Sequence, residues 1–148
     1  MRTVRLGIFE TNSSSTHAIC MCSEEDYQKF LDCELFMTYD CCDNYKLVTA
    51  EEIYEQFKKE FTVDELAGRY PTLDEFKEVL RSKGNFSYIE DDDPDAYDSE
   101  EEFRSAKIED WLANESYGNA HNYHRDEYET FTSKFNGVVA FGYYGYMC

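Results

Sequence analysis

Tyr128-Glu129-Thr130-Phe131-Thr132-Ser133-Lys134-Phe135-Asn136-Gly137-Val138-Val139-Ala140-Phe141-Gly142-Tyr143-Tyr144 alternates apolar and polar residues, turns on Asn-Gly, and returns as a β-branched and aromatic run. Asn-Gly accepts the positive φ values of a tight hairpin turn, so this stretch reads as a β-hairpin. Gly142 and Gly145 interrupt the returning strand, which implies a bulge or the close approach of another backbone.

Working back toward the N-terminus, the pattern changes from a period of two to a period of 3.6. Thr49-Ala50-Glu51-Glu52 is a capping box, followed at helical spacing by Ile53, Phe57 and Phe61. Thr62-Val63-Asp64-Glu65 repeats the box and opens a short helix that Pro71 terminates. Thr72-Leu73-Asp74-Glu75 opens another with Phe76, Val79 and Leu80, closed by Gly84 as a left-handed cap. Ser99 starts a further helix through Asn114 whose apolar set is Phe103, Ile108, Trp111 and Leu112.

Two strands, Leu35-Phe36-Met37-Thr38-Tyr39 and Tyr45-Lys46-Leu47-Val48, flank an Asp/Cys/Asn turn, and Asn85-Phe86-Ser87-Tyr88-Ile89 reads as another. Ser23-Glu24-Glu25-Asp26 starts a helix with Tyr27, Phe30 and Leu31 on one face. Near the N-terminus, Thr3 to Phe9 and His17 to Cys22 read as two short strands joined by a self-bonded polar loop, Thr11, Asn12, Ser13, Ser14, Ser15, Thr16 and His17. Strands, then helices, then strands indicate an α+β fold with a largely antiparallel sheet and helices packed on one face. At 148 residues the chain has the size of a single globular domain, and 17% aromatic residues supply its core.

Charge is the most unusual property: 32 Asp and Glu oppose 14 Lys and Arg, a formal net charge of -18. Such a field repels nucleic acid and anionic membranes and speeds association with basic surfaces. The same acidity also keeps an aromatic-rich protein soluble. Half of the net charge lies between Glu90 and Glu102, where nine acids face no base. No apolar run is long enough to span a bilayer, and Met1-Arg2-Thr3-Val4-Arg5 gives way to polar residues too soon for a signal peptide, so a cytoplasmic protein with reduced cysteines is expected.

Several constellations carry candidate chemistry. His17 beside Ser13, Ser14 and Ser15 brings a base near hydroxyls, but no embedded nucleophile context accompanies it, so no catalytic residue and no cofactor are assigned. Cys20 with Cys22, Cys41 with Cys42, and His121 with His124 offer zinc-type donors at spacings that suit a metal poorly. Asp91, Asp93, Asp95, Ser99 and Glu102 fall in register with the oxygen ligands of a calcium-binding EF-hand loop. Ala96, where that loop wants glycine, and Asp98, where it wants an apolar residue, count against it.

The stretch Gly7-Ile8-Phe9-Glu10-Thr11-Asn12-Ser13-Ser14-Ser15-Thr16-His17 resembles the N-terminus of a family of small proteins from bacteriophages and Firmicutes genomes, over about the first thirty residues. That resemblance implies a phage or prophage origin and a bacterial host cytoplasm. Small acidic phage proteins are similar in kind to anti-CRISPR and anti-restriction inhibitors that compete with nucleic acid. The expected function is therefore a nucleic-acid mimic that binds the basic groove of a host defence protein such as a CRISPR effector nuclease. Its expected contacts are Asp91, Asp92, Asp93, Asp95, Asp98, Glu100, Glu101 and Glu102, with Tyr143, Tyr144 and Tyr146 as exposed apolar anchors. Direct nucleic-acid or membrane binding is not expected. Two alternatives stay open: an enzyme or nucleotide- or phosphate-binding protein that uses residues 11–17, and a regulatory adaptor or calcium-binding protein.

Overall fold

A computed structural model describes residues 15–42, 44–89, 92–124 and 128–146, with the backbone alone at 15–17 and 146. The fold is α+β with a largely antiparallel sheet, in agreement with the pattern of the sequence. Five strands, β1 (Ser15–Ser23), β2 (Leu35–Cys41), β3 (Asn44–Thr49), β4 (Glu129–Phe135) and β5 (Val138–Tyr146), lie in the order β2-β3-β1-β5-β4. Among the described strands only β1 and β3 run parallel, through Ile19 opposite Asn44 and Cys20 opposite Tyr45. The C-terminal hairpin forms as expected, with Phe135 opposite Val138 across a turn in which Asn136 and Gly137 have φ of 50° and 78°.

Helix α1 (Glu24–Leu31) connects β1 to β2, and α2 (Ala50–Glu60), α3 (Leu73–Leu80) and α4 (Glu100–Asn114) follow β3. Each starts where a hydroxyl can accept an otherwise orphaned amide: Ser23 from Asp26, Thr49 from Glu52, Thr72 from Glu75 and Ser99 from Glu102, at 3.1–3.2 Å. Thr49 and Glu52 complete the reciprocal box.

Apolar residues divide into two clusters across β2, because successive strand residues point to opposite faces. Met37 joins Cys20, Phe30, Val139 and Phe141 under α1, whereas Phe36 joins Ile53, Phe57, Leu66, Phe76, Leu80, Ile108 and Leu112 among α2, α3 and α4. Phe57 is central to the second cluster, with ring centroids 4.9 Å from Phe61 and 5.3 Å from both Phe76 and Trp111.

Five sequence expectations need correction: first, the helices cover both faces of the sheet and not one, because the neighbours Phe36 and Met37 on β2 face α2–α4 and α1 respectively. Ser15, Thr16 and His17 are not loop residues; their backbone extends β1, opposite Tyr146, Gly145 and Tyr144. Residues 85–89 belong to no strand or helix, and the Ile89 amide donates to the Asp110 carboxylate at 3.0 Å. The second capping box opens a 3-10 turn, Val63–Leu66, and Ala67 in the left-handed conformation ends it well before Pro71. Helix α3 is capped by Arg81, with Gly84 three residues beyond the cap. The strand expected at 3–9 and its hairpin partner loop at 11–14 lie outside the described residues.

The glycine expectation in β5 is met in a specific way. A Cβ on Gly142 would fall on the Ala18 carbonyl of β1, and one on Gly145 would meet the Tyr128 ring. Gly142 thus lets the two central strands approach.

Candidate functional site

The acidic segment is a built structure and not a solvated tail. Helix α4 supplies its foundation through an unusual face: Arg104 and Lys107 are buried, at 4% and 8% exposure, beside the apolar Phe103, Ile108, Trp111 and Leu112. The Lys107 ammonium lies 5.3 Å from the Phe61 ring centroid and 5.9 Å from that of Phe103. It donates to Asp92 Oδ1 at 2.5 Å, and the Asp92 side chain is itself 73% exposed. A buried cation thereby anchors the chain from beneath.

Local hydrogen bonds shape the remainder. Asp93 accepts from the Asp95 amide at 3.0 Å and caps the 3-10 turn Pro94–Ala96. The Tyr97 ring docks on Phe103 with centroids 5.4 Å apart. Ser99 accepts from the Glu102 amide, and Glu102 Oε2 reaches back to accept from the Asp98 amide at 3.1 Å. Glu100, Glu101 and Glu102 occupy the first turn of α4, where carboxylates oppose the positive end of the helix dipole.

The expected contact set therefore separates by role. Asp92, Asp93 and Glu102 hold the segment in shape. Asp95, Asp98 and Glu101 are exposed and have no side-chain partner among the described residues, and exposed Glu100 lies 3.9 Å from the buried Arg104 guanidinium. Asp91 lies outside the described residues. Asp95, Asp98, Glu100 and Glu101 are thus four exposed residues in and just before the first turn of α4.

The proposed aromatic anchors do not form one exposed patch. Tyr143 and Tyr144 are half-buried and, as neighbours on β5, point to opposite faces of the sheet. Tyr143 stacks on Tyr128 at 5.4 Å between centroids, and the Tyr144 hydroxyl donates to Glu129 at 2.5 Å. The Tyr146 side chain lies outside the described residues.

The metal candidates are not assembled. No group of three His, Cys, Asp or Glu side chains among the described residues could hold a metal ion. Within the calcium candidate set, Asp93, Ser99 and Glu102 serve local caps, and Asp91 is not described. Burial pushes the Cys20 thiol up to about 12, with a further push from Cys22, and burial together with Asp26 raises Cys22. Cys42 and then Asp40 raise the Cys41 thiol. Raised thiols are poor thiolate donors and poor nucleophiles. Residues 11–14 and the His17 side chain, which the phosphate-binding reading needs, lie outside the described residues.

Sequence reasoning missed Lys107 as the anchor. Its signal was present in the spacing: Phe103, Lys107 and Trp111 recur every four residues, which places a cation on the apolar stripe of α4. The buried Asn119 was also missed. Its Nδ2 donates to the Leu80 and Ser82 carbonyls, and its Oδ1 accepts from the His121 and Asn122 amides.

No family model, curated protein or solved structure matches this chain. Among the described residues no helix is long and apolar enough to cross a membrane.

Proposed function

We propose that this chain is an acidic inhibitor that occupies the basic nucleic-acid groove of a host protein through the ordered face built on residues 92–102. The observation that carries this reading is the pre-formed geometry: exposed carboxylates at Asp95, Asp98, Glu100 and Glu101 are held on a scaffold tied by Lys107, Asp93 and Ser99. Rigid presentation lowers the ordering cost of binding. Charge density supports it as well. B-DNA carries one charge per roughly 1.7 Å of axis. The first turn of α4 offers the exposed Glu100 and Glu101 about 1.5 Å apart along the helix axis.

The partner class follows from complementarity and from the phage-like N-terminal stretch. It is a nucleic-acid-binding defence protein of the bacterial host, for which a CRISPR effector nuclease is the leading candidate. The net charge of -18 gives the chain long-range attraction to such a groove, and rim charges act chiefly on association rate and salt dependence. Reversal of the unpartnered acids, Asp95→Lys with Asp98→Lys and Glu101→Lys, tests the reading while leaving the capping residues in place. Partner binding should collapse and its salt dependence should flatten; unchanged inhibition by the folded variant would show that charge mimicry is the wrong mechanism.

A further inference from the structure

The helices leave part of the sheet bare among the described residues. Helices α2, α3 and α4 pack on the Phe36 face of β2 and β3, and no residue of β1, β4 or β5 belongs to the cluster they form. Alternation along the strands decides what the bare part carries, because Cys20, Val139 and Phe141 point to α1 on the other face. Ile19 and Met21 of β1, Val138 and Ala140 of β5, and Phe131 and Phe135 of β4 therefore share the face opposite α1. Met21, Phe135 and Val138 are 65%, 59% and 43% exposed, three of the seven large apolar side chains exposed among the described residues. They are contiguous: Val138 lies opposite Phe135, and Met21 lies opposite Ala140, two residues along β5. Soluble monomers seldom leave such a patch uncovered.

Charge and shape select what covers it. Charged residues make up 31% of the chain, yet on this side of β1, β4 and β5 the described side chains include one, Glu129, whose carboxylate accepts from the Tyr144 hydroxyl. Lys46 of β3 borders the face. A strongly charged partner gains no ion pair on such a surface, whereas two chains of net charge -18 meet at least cost where neither presents its charge. Large and small residues also alternate across the strands, with Met21 and Ser133 on either side of Ala140. A two-fold axis along β5 sets Met21 of each copy over Ser133 of the other, large over small in both directions.

We propose that this face binds a second copy of the chain, the two sheets packing about 10 Å apart with their strands within about 30° of each other. The three strands form a face about 14 Å wide and about 23 Å long, a footprint of about 330 Å² per copy. That is below the roughly 800 Å² per partner of a standard interface, so the association is weak and reversible, with a dissociation constant on the order of 100 μM. The dimer uses none of residues 92–102 and does not rest on the inhibitor reading.

Sedimentation velocity on the full chain, from about 10 μM to about 1 mM, tests this. A concentration-dependent shift from one chain toward two is expected. It should strengthen about three- to tenfold between about 0.05 and about 0.5 M NaCl, because salt screens the repulsion between two acidic chains and spares an apolar contact. Methyl resonances of Met21 and Val138 should shift with concentration. Met21→Glu with Val138→Glu, both at exposed positions, should abolish association while leaving the circular dichroism spectrum unchanged. The Asp95→Lys, Asp98→Lys, Glu101→Lys variant should dimerise at least as well, since it is less acidic, so this inference and the inhibitor reading fail or survive separately. A chain that is monomeric at about 1 mM, ten times the expected constant, would overturn the proposal and leave the face to another segment or another protein. Association that weakens with salt, or that survives the two glutamates in the folded chain, would overturn it too.

Discussion

The Asp92–Lys107 pair predicts an asymmetry between its two halves. Lys107 is buried between aromatic rings, and its carboxylate partner faces solvent. Replacing Asp92 by Ala leaves a desolvated ammonium without its counter-charge. A hydrogen bond to a charged group contributes about 1.5–3 kcal/mol. Solvent screening of the exposed carboxylate reduces this to about 1–2 kcal/mol. Replacing Lys107 by Met removes the buried charge itself and keeps a flexible apolar stem between Phe61 and Phe103. Such exchanges are commonly neutral or stabilising, so the expected change is within about 1 kcal/mol of zero. For a chain of this size 1 kcal/mol moves Tm by about 2–4 °C, so Asp92→Ala should lower Tm by about 2–8 °C. Urea unfolding followed by circular dichroism supplies the free energies. The double variant should resemble Lys107→Met alone, because Asp92 has lost its one partner and the two effects do not add. In both single variants the Asp95 and Ala96 amides should exchange faster, since the segment has lost its anchor. A larger loss from Lys107→Met than from Asp92→Ala would refute the reasoning.

Further predictions follow from other contacts. Ser99→Ala removes the acceptor for the Glu102 amide and should cost about 1 kcal/mol in urea unfolding. Asn119→Ala orphans two carbonyls and the His121 amide at a fully buried position and should cost about 2–4 kcal/mol, with the 80–86 segment the first to gain amide exchange. Gly142→Ala drives a methyl group into the Ala18 carbonyl, so the β1–β5 ladder must separate locally; a Tm unchanged within 1 °C in thermal melts would contradict the close approach. Stability should also fall at alkaline pH. Burial raises Cys20 from 9.0 and Tyr123 from 10.0, each to about 12, so both groups favour the folded state while protonated. Their contribution is complete below pH 9 and is lost as pH rises toward 12, which urea midpoints between pH 8 and 11.5 would show as a steady decline.

Local signals in the chain were legible where one short motif determines the outcome. Ser23, Thr49, Thr72 and Ser99 each mark a helix start, and Asn136-Gly137 marks the hairpin, because capping and turn chemistry act within four residues. The parallel pairing of β1 with β3 was not legible, since it depends on where α1 and β2 return the chain. Residues 85–89 have the composition of a strand, but the Ile89 amide goes to Asp110 and the adjoining Gly84 carbonyl to Asn122 Nδ2. Side-chain hydrogen bonds won over a ladder there. At the candidate site the density of acids was visible and their division of labour was not. Asp92, Asp93 and Glu102 look no different from Asp95 and Glu101 until the fold supplies Lys107 and the local caps.

Competition for a captured host partner tests the central claim most directly. The wild-type chain and the Asp95→Lys, Asp98→Lys, Glu101→Lys variant are each used to capture proteins from a bacterial host lysate, with and without added duplex DNA. Charge mimicry predicts that the wild-type chain retains a basic nucleic-acid-binding protein which DNA and salt both displace, and that the folded variant retains none. A partner held equally by both chains, or one that DNA fails to displace, would contradict the account.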